Sequence, residues 1–221
     1  MRETAAQKTG QRSETTPARQ LTAVLFVDIV EATPLALSLG DRAWAELLEQ
    51  YHQLVRETLE RHRGWLMDTA GDGFFAIFDE TDDAIRCALD IRESVRKLGL
   101  ALRAGVHLGH CWKADAKCAG ADVHVGARLA GAADPGEVLI SEAAAERAGQ
   151  AGLELTDRGI RSLKGLPGTL RVFAVGTSSL PRSSALGQAT PDAPSCAPST
   201  ARLTNRHLSI YLWTSMHEVR G

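Results

Sequence analysis

The chain has 221 residues, 44% of them hydrophobic, and a formal net charge of −2. This composition predicts one well-packed domain with tails, and the balanced charge gives no reason to expect a nucleic-acid partner. The start of the chain lacks the apolar segment of a signal peptide and no later apolar run is long enough to cross a bilayer, so we expect a cytoplasmic protein without a membrane span.

Composition divides the chain into four segments. Residues 1–20 are polar and predicted to be disordered, whereas residues 21–176 alternate apolar runs with amphipathic stretches and should form the domain. Residues 177–205 are rich in Ser, Pro and Ala, which is typical of a flexible linker. Residues 206–221 contain a short apolar core that either packs back as a strand or binds a partner, and the sequence leaves their role open.

The predicted elements of the domain follow the order βαββαβ. A first strand over Thr22–Asp28 precedes a long helix, whose apolar residues recur at helical spacing over Trp44–Leu59. The motif WLMDTAGDGFFAIF indicates a hairpin that turns at Ala70–Gly73, because glycines tolerate the positive φ of tight turns. A helix over Asp82–Leu98 and a strand over 100–109 close the unit. This order predicts an α+β fold with a ferredoxin-like core.

Two aspartates are expected to meet at one edge of this sheet. The first and third strands of such a core are antiparallel neighbours, so the end of the first strand, at Asp28, lies beside the start of the third, at Asp72. Carboxylates held close repel each other unless a cation lies between them, and magnesium takes carboxylate ligands and substrate phosphates. The alternative is that Asp28 only faces solvent or caps the next helix, and that the Asp-Gly turn is an ordinary hairpin.

Several motifs together resemble the catalytic domain of class III adenylate/guanylate cyclases, a bacterial-type nucleotidyl cyclase. The resemblance covers nearly all of the domain and implies additional C-terminal strands and helices. It also implies a homodimer with active sites at the subunit interface that converts ATP or GTP into the 3′,5′-cyclic monophosphate and pyrophosphate for intracellular signalling. The motifs, in chain order, are FVDIVEAT, TAGDGFFAIF, RAGVHLG, VHVGARLAG, PGEVLIS and DRGIRSLKGL.

The resemblance also implies the metal site. Asp28 and Asp72 match the two metal-binding aspartates of the family, and the carbonyl group of Ile29 is a further metal contact. Two Mg²⁺ or Mn²⁺ ions are implied in each active site. Two ions suit the reaction, because one can lower the pKa of the ribose hydroxyl and the other can neutralise the departing polyphosphate.

Three further residues match family positions that act on the phosphates. His124 and Arg128 lie one helical turn apart and match an asparagine and an arginine that stabilise the transition state from the partner subunit. Lys164 matches a lysine that contacts the outer phosphates. The alternatives are a solvent-facing arginine, a hydrogen-bonded core histidine and an ordinary surface lysine. Residues 30–33 lead into a helix whose free amides can bind phosphate, although Glu31 stands where the family usually has glycine.

The residues that match the purine-binding positions differ from the adenylate cyclase pattern. Asp68 stands where adenylate cyclases of the family have lysine, and Lys117 aligns with their aspartate. This exchanged pair is complementary to guanine, because Asp68 can accept from N1 and N2 while Lys117 donates to O6. The alternatives are an ion pair that leaves the pocket unselective or closed, and a register in which Asp115 takes the second position.

Two other functions and one other site remain open. One alternative is a degenerate cyclase domain that acts as a nucleotide-binding or dimerisation module with little turnover. Another is a diguanylate cyclase, although a GGDEF-like turn is absent. Strand alternation argues against a zinc site because it places adjacent candidate ligands on opposite faces. The cysteines include no CxxC pair and suggest a reducing compartment. The candidate zinc ligands are His107, His110, Cys111 and Cys118, and the other cysteines are Cys87 and Cys196.

Overall fold

A computed structural model describes residues 18–114, 117–150 and 152–176 of the chain. The predictions for residues 1–17, for the linker and the tail after residue 176, and for Asp115 lie outside the described residues. For Lys117, the description is limited to the backbone.

Eight strands and five helices lie within the described residues. The strands are β1 (Ala18–Ile29), β2 (Trp65–Ala70), β3 (Gly73–Phe78), β4 (Leu102–Ala114), β5 (Lys117–Ala119), β6 (Val138–Ser141), β7 (Leu155–Arg161) and β8 (Leu170–Val175). The helices are α1 (Ala32–Leu39), α2 (Asp41–Arg61), α3 (Thr81–Arg96), α4 (Ala121–Ala132) and α5 (Glu142–Gln150).

The strands form one mixed sheet with the order β2-β3-β1-β4-β6-β8-β7, and β5 pairs with the far end of β4. β1 is antiparallel to both of its neighbours, β3 and β4. The predicted α+β class is therefore confirmed, and so is the prediction that the first and third strands are antiparallel neighbours.

Helices cover both faces of the central strands. Leu25 and Val27 of β1 pack in the large core with α2, α3 and α5, whereas Val24 and Phe26 face the smaller core under α4. Strands buried on both faces read as continuous apolar runs, which is why the sequence of β1 lacks alternation. The aspartate at the end of this run, Asp28, lies on the α4 side with Val24 and Phe26, because side chains alternate along a strand.

The elements are longer or more divided than the sequence predicted. β1 begins at Ala18, three residues before the expected domain start, because these residues pair with the extended end of β4 up to Lys113. A short helix, α1, precedes the predicted long helix, and the two are separated by Gly40, whose φ of 78° interrupts helical geometry. None of the helices in the described part of the chain has the length and apolar composition to span a membrane.

Candidate active site

Asp28 is a buried carboxylate held by an arginine from the neighbouring strand. Its residue is 2% exposed, and Arg103 lies directly opposite it in the pairing of β1 with β4. The guanidinium donates from Nε at 2.9 Å and also from Nη2, both to Oδ2 of Asp28. The second oxygen, Oδ1, is buried without a hydrogen-bond partner among the described residues. The sequence analysis did not identify Arg103, because the register between β1 and β4 that pairs it with Asp28 cannot be predicted from local sequence patterns.

Asp72 lies in the two-residue turn between β2 and β3. Gly71 takes the first turn position with a φ of 62°, and its carbonyl oxygen is 3.0 Å from Nε2 of His52 on α2. The Asp72 carboxyl group lies close enough to the Asp28 side chain and to the backbone of Ile29 for both to affect its pKa. The two predicted metal-binding aspartates therefore meet, as the strand order requires.

The surroundings of Asp72 favour its protonated form. Burial, followed by the negative charge of Asp28, raises the pKa of Asp72 from its ordinary value of 3.8 to about 7. Tyr51 of α2 is fully buried near the same two carboxylates, and its hydroxyl has no hydrogen-bond partner among the described residues. Burial and the charges of Asp72 and Asp28 raise the pKa of Tyr51, so the phenol stays protonated. A proton on Asp72 thus partly relieves the repulsion between the paired carboxylates.

The donor set fits a divalent cation. Two adjacent carboxylates supply oxygen ligands, and Oδ1 of Asp28 is a buried acceptor that still needs a partner. Hard cations such as Mg²⁺ take oxygen ligands of this kind and fill their remaining positions with water and phosphate. No cluster of three or more His, Cys, Asp or Glu side chains that could hold a metal occurs in the described residues, so a bound ion would need ligands beyond these side chains.

A cleft of about 640 Å³ brings the two predicted metal-binding aspartates together with cationic side chains. Asp28 and Asp72 line it, together with Arg103, Arg128 of α4 and Lys164 of the loop between β7 and β8. The Arg128 guanidinium is close to Gly165, where an added Cβ would be 3.6 Å from Nη2. The first turn of α1 lines the same cleft. One chain therefore places the Asp28 and Asp72 carboxylates, two further acidic side chains (Glu31 and Asp134), three cationic groups and a helix N-terminus around one cavity.

Glu31 forms the entry to α1 in the left-handed backbone region. Its φ is 55°, it precedes the first residue of the helix, and its side chain makes no capping hydrogen bond. A non-glycine residue in this region is strained, whereas glycine adopts it without cost. The family preference for glycine at this position therefore has a backbone reason, and the chain adds a carboxylate to the cleft wall.

Of the remaining predicted residues, Ile29 lines this cleft, whereas His124 and Asp68 do not. His124 is exposed on α4 and does not line the cavity, so the alternative of a core histidine is wrong. Asp68 is half-buried on β2, and burial raises the pKa of its carboxyl group. The backbone of Lys117 lies on β5, which β3, β1 and β4 separate from β2 in the order of the sheet. The structure therefore leaves the predicted purine pair untested.

The candidate zinc ligands are distributed as strand alternation requires. His107 and Cys111 are buried on the α4 side of β4, whereas His110 is exposed. Cys87, Cys111 and Cys118 are free thiols, and Cys196 lies outside the described residues.

Comparison with known proteins identifies the type of domain. The family profile described as the adenylate and guanylate cyclase catalytic domain matches residues 15–177. A protein named pH-sensitive adenylate cyclase, from Mycobacterium tuberculosis, is 30% identical over 184 residues, which cover 79% of this chain and 46% of the relative. The chain spans 28% and 46% of the lengths of the first two curated relatives it matches.

Solved structures share the fold at lower identity. The adenylyl cyclase CyaB from P. aeruginosa superposes with a TM-score of 0.68 at 22% identity, covering 74% of this chain and 97% of that structure. The guanylate cyclase domain of RhGC from Catenaria anguillulae, in complex with GTP, gives a TM-score of 0.64 at 19% identity. That match covers 71% of this chain and 96% of the other.

Proposed function

The chain belongs to the adenylate and guanylate cyclase catalytic domain family, and from this premise we propose that it cyclises a purine nucleoside triphosphate. The products would be the 3′,5′-cyclic monophosphate and pyrophosphate, made for intracellular signalling. The observation that carries the proposal is the contact of Asp28 with Asp72 in a cleft that Arg128 and Lys164 also line. These charges match a triphosphate with its cations, because carboxylates bind the ions and guanidinium and ammonium groups bind phosphoryl oxygens.

The metal-binding residues would be Asp28, Asp72 and the carbonyl group of Ile29, holding two Mg²⁺ or Mn²⁺ ions. When bound, such ions lower the pKa of the attacking ribose hydroxyl and neutralise the leaving polyphosphate. Asp72 must release its proton before it can serve as a ligand, since its pKa is about 7. Arg103 must share Asp28 with a cation or move away from it, because it holds Oδ2 through two hydrogen bonds.

The cationic residues of the cleft would act on the triphosphate. Arg128 would stabilise the charge that develops on the phosphoryl oxygens, since its planar fork can bind two oxygens at once. Lys164 is exposed at the rim of the cleft and would contact the outer phosphates. His124 would reach a phosphate only from outside this cavity, since it is exposed on the same helix and does not line the cleft.

We infer that the active form is a homodimer in which Arg128 and His124 act on the nucleotide bound by the partner's aspartates. The family resemblance and the exposure of His124 support this arrangement. The position of Arg128 in the same cleft as Asp28 supports the opposite arrangement, in which one chain forms a complete site. The two arrangements differ in whether two inactive variants can restore activity when mixed.

The exchanged charges of Asp68 and Lys117 favour GTP over ATP as the substrate. Burial raises the pKa of Asp68, and the ionised carboxylate is the form that accepts from both N1 and N2 of guanine. Each good contact to a base edge contributes on the order of 1–3 kcal/mol to discrimination. The expected preference, about tenfold or more in kcat/KM, is read directly from parallel assays with GTP and ATP.

A second candidate function is a nucleotide-binding or dimerisation module with little turnover. Two observations favour this function. Arg103 occupies an oxygen of Asp28 that a metal ion would otherwise bind, and Glu31 adds a negative charge to the cleft wall. Incubation of purified protein with ATP or GTP and Mg²⁺ or Mn²⁺, followed by chromatography for cAMP and cGMP, separates the two functions. The cyclase proposal requires a metal-dependent cyclic product, whereas the module would bind nucleotide and leave it intact.

A further inference from the structure

The helix that carries Arg128 is fastened to β4 by an aspartate in its first turn. Asp122 accepts the backbone N–H of His110 at 2.6 Å through Oδ2. Its other oxygen, Oδ1, is 4.0 Å from Nε2 of His107, which is 8% exposed. The residue that precedes α4, Gly120, provides no side-chain cap, so Asp122 is the acid that complements the positive end of this helix.

His107 links this contact to β6, the strand that pairs with β4 on the side away from β1. Its Nδ1 is 2.8 Å from Oγ of Ser141, at the end of β6, and the same Oγ accepts the N–H of Ala144 at 3.4 Å. The imidazole is therefore held on both sides, by the start of α5 and by the start of α4. Burial lowers the pKa of His107, while the charge of Asp122 opposes that effect.

Glycines allow this close approach of α4 to the sheet. A Cβ added to Gly109 would lie 2.5 Å from Cβ of Asp122 and 2.7 Å from its Oδ2, so any side chain there would displace Asp122. Further along the helix, a Cβ on Gly105 would lie 2.3 Å from the backbone nitrogen of Ala130. Helix α4 thus touches the backbone of β4 at Gly109 and at Gly105, and only the contact at Gly109 includes the polar side chain of Asp122.

We propose that Asp122 is a positioning residue of the cyclisation, which sets the rotation of α4 and thereby the placement of Arg128. The inference rests on the proposed function. Arg128 lies six residues beyond Asp122, about 9 Å along the helix axis. Without the Asp122 contact, the first turn of α4 loses its hydrogen bond to β4 and only apolar packing sets its rotation. A small rotation displaces the end of a long arginine side chain by more than the backbone. Misplacement of a catalytic group by about 1 Å can lower the rate by about 100-fold.

The test compares variants that remove different parts of the contact. Asp122→Ala loses both interactions, whereas Asp122→Asn keeps an oxygen that can accept the N–H of His110. Gly109→Ala changes β4 instead of α4, and its added Cβ should displace the Asp122 side chain. We expect Asp122→Ala and Gly109→Ala to lower kcat between about 10-fold and 100-fold, with KM for the nucleotide changed less than about threefold. Asp122→Asn should restore kcat to within about threefold of the wild type.

A matched control comes from a second His–Asp contact that is remote from the cleft. Nε2 of His62, at the end of α2, is 2.8 Å from Oδ2 of Asp90 on α3. Asp90→Asn should lower the thermal midpoint without changing kcat. Amide hydrogen exchange provides a readout besides activity, because the N–H of His110 should lose protection in Asp122→Ala and keep it in Asp90→Asn.

The outcomes separate this inference from the proposed function. A wild-type protein that forms no cyclic nucleotide overturns the proposed function, and the inference falls with it. An active wild type, whose Asp122→Ala variant is folded and keeps its kcat, overturns the inference alone. If Asp122→Ala does not fold, Gly109→Ala decides: full kcat in that variant overturns the inference. A loss in Asp122→Asn equal to that in Asp122→Ala would also contradict it, because it would show that the accepted N–H is irrelevant.

Discussion

Arg103 and Asp28 face each other across β4 and β1, and the guanidinium donates two hydrogen bonds to a single oxygen of the buried carboxylate. The Asp28 side chain is 3% exposed and that of Arg103 is 21% exposed, so the pair is largely removed from water. The arrangement gives the metal-free protein a cationic side chain beside the carboxylate that is proposed to bind metal ions.

Arg103→Ala should destabilise the metal-free protein strongly. Removing one partner of a buried pair leaves an uncompensated charge, which costs on the order of 3–5 kcal/mol. Urea unfolding should therefore give a clear fall in the free energy of unfolding, and Mg²⁺ or Mn²⁺ should recover more stability in the variant than in the wild type. The matched control is Arg171→Ala, which removes the exposed cross-strand pair with Asp157 and should lower the free energy of unfolding far less, because water screens exposed ion pairs. Equal decreases in the free energy of unfolding in the two variants would contradict the expected cost of leaving Asp28 without its partner.

The stability of the metal-free protein should depend on the titration of Asp72. Its pKa is raised from 3.8 to about 7 on folding, so the folded state keeps a proton that the unfolded state releases. The stability that this group contributes is fully present below about pH 4 and is lost as the pH rises to about 7. The neutral amide of Asp72→Asn does not ionise, so the variant avoids the destabilisation that ionised Asp72 causes. Without metal, Asp72→Asn should therefore be more stable than the wild type at pH 8, and the difference in free energy of unfolding should shrink as the pH falls.

The control for this titration is a carboxyl group with a shift of opposite sign. Arg171 lowers the pKa of Asp157, so Asp157→Asn should gain no stability at pH 8. Urea midpoints measured from pH 5 to pH 8 provide the comparison. A wild type that is as stable as Asp72→Asn at pH 8 without metal would contradict the raised pKa.

Much of this arrangement was predictable, and its limits have physical reasons. The contact of Asp28 with Asp72 follows from the element order, because a hairpin turn and a strand end must meet when their strands are antiparallel neighbours. The pairing of Arg103 with Asp28 depends on a register between strands far apart in sequence, which local patterns do not encode. The position of Asp122 against His107 depends on how α4 docks on the sheet. Side-chain periodicity gives the buried face of a helix but not its rotation to within a few degrees.

Glu31→Gly should improve both stability and nucleotide binding. Glycine removes the strain of a φ of 55°, which is worth about 1 kcal/mol, and the change also removes a carboxylate from the cleft. We expect a higher thermal midpoint and a lower KM for the nucleotide. Arg63 has a similar φ of 57° away from the cleft, but its side chain also pairs with Asp83 at 2.7 Å. Arg63→Gly therefore serves as a control for KM alone, which it should leave unchanged. Weaker nucleotide binding in Glu31→Gly would indicate that the carboxylate helps to bind the substrate.

Mixing two inactive variants tests the shared active site. If the aspartates and Arg128 act from different subunits, then Asp72→Ala and Arg128→Ala chains should each be inactive and should recover activity together, because mixed dimers contain one intact site. The measurement is cyclic nucleotide formation after subunit exchange has been demonstrated with labelled chains. Exchange without recovered activity would favour a complete site within one chain, as the single cleft around Asp28 and Arg128 allows.

The most direct test of the account is metal-dependent product formation by the wild type and by variants of the aspartate pair. We expect the wild type to release cyclic nucleotide and pyrophosphate in equal amounts when Mg²⁺ or Mn²⁺ is present, and no product when the metal is chelated. Asp28→Ala and Asp72→Ala should form no product. Asp72→Ala should keep the circular dichroism spectrum and the elution volume of the wild type, whereas Asp28→Ala should be less stable because it leaves Arg103 without its carboxylate partner. A folded Asp72→Ala variant with wild-type activity would contradict the proposed metal site and, with it, the central claim.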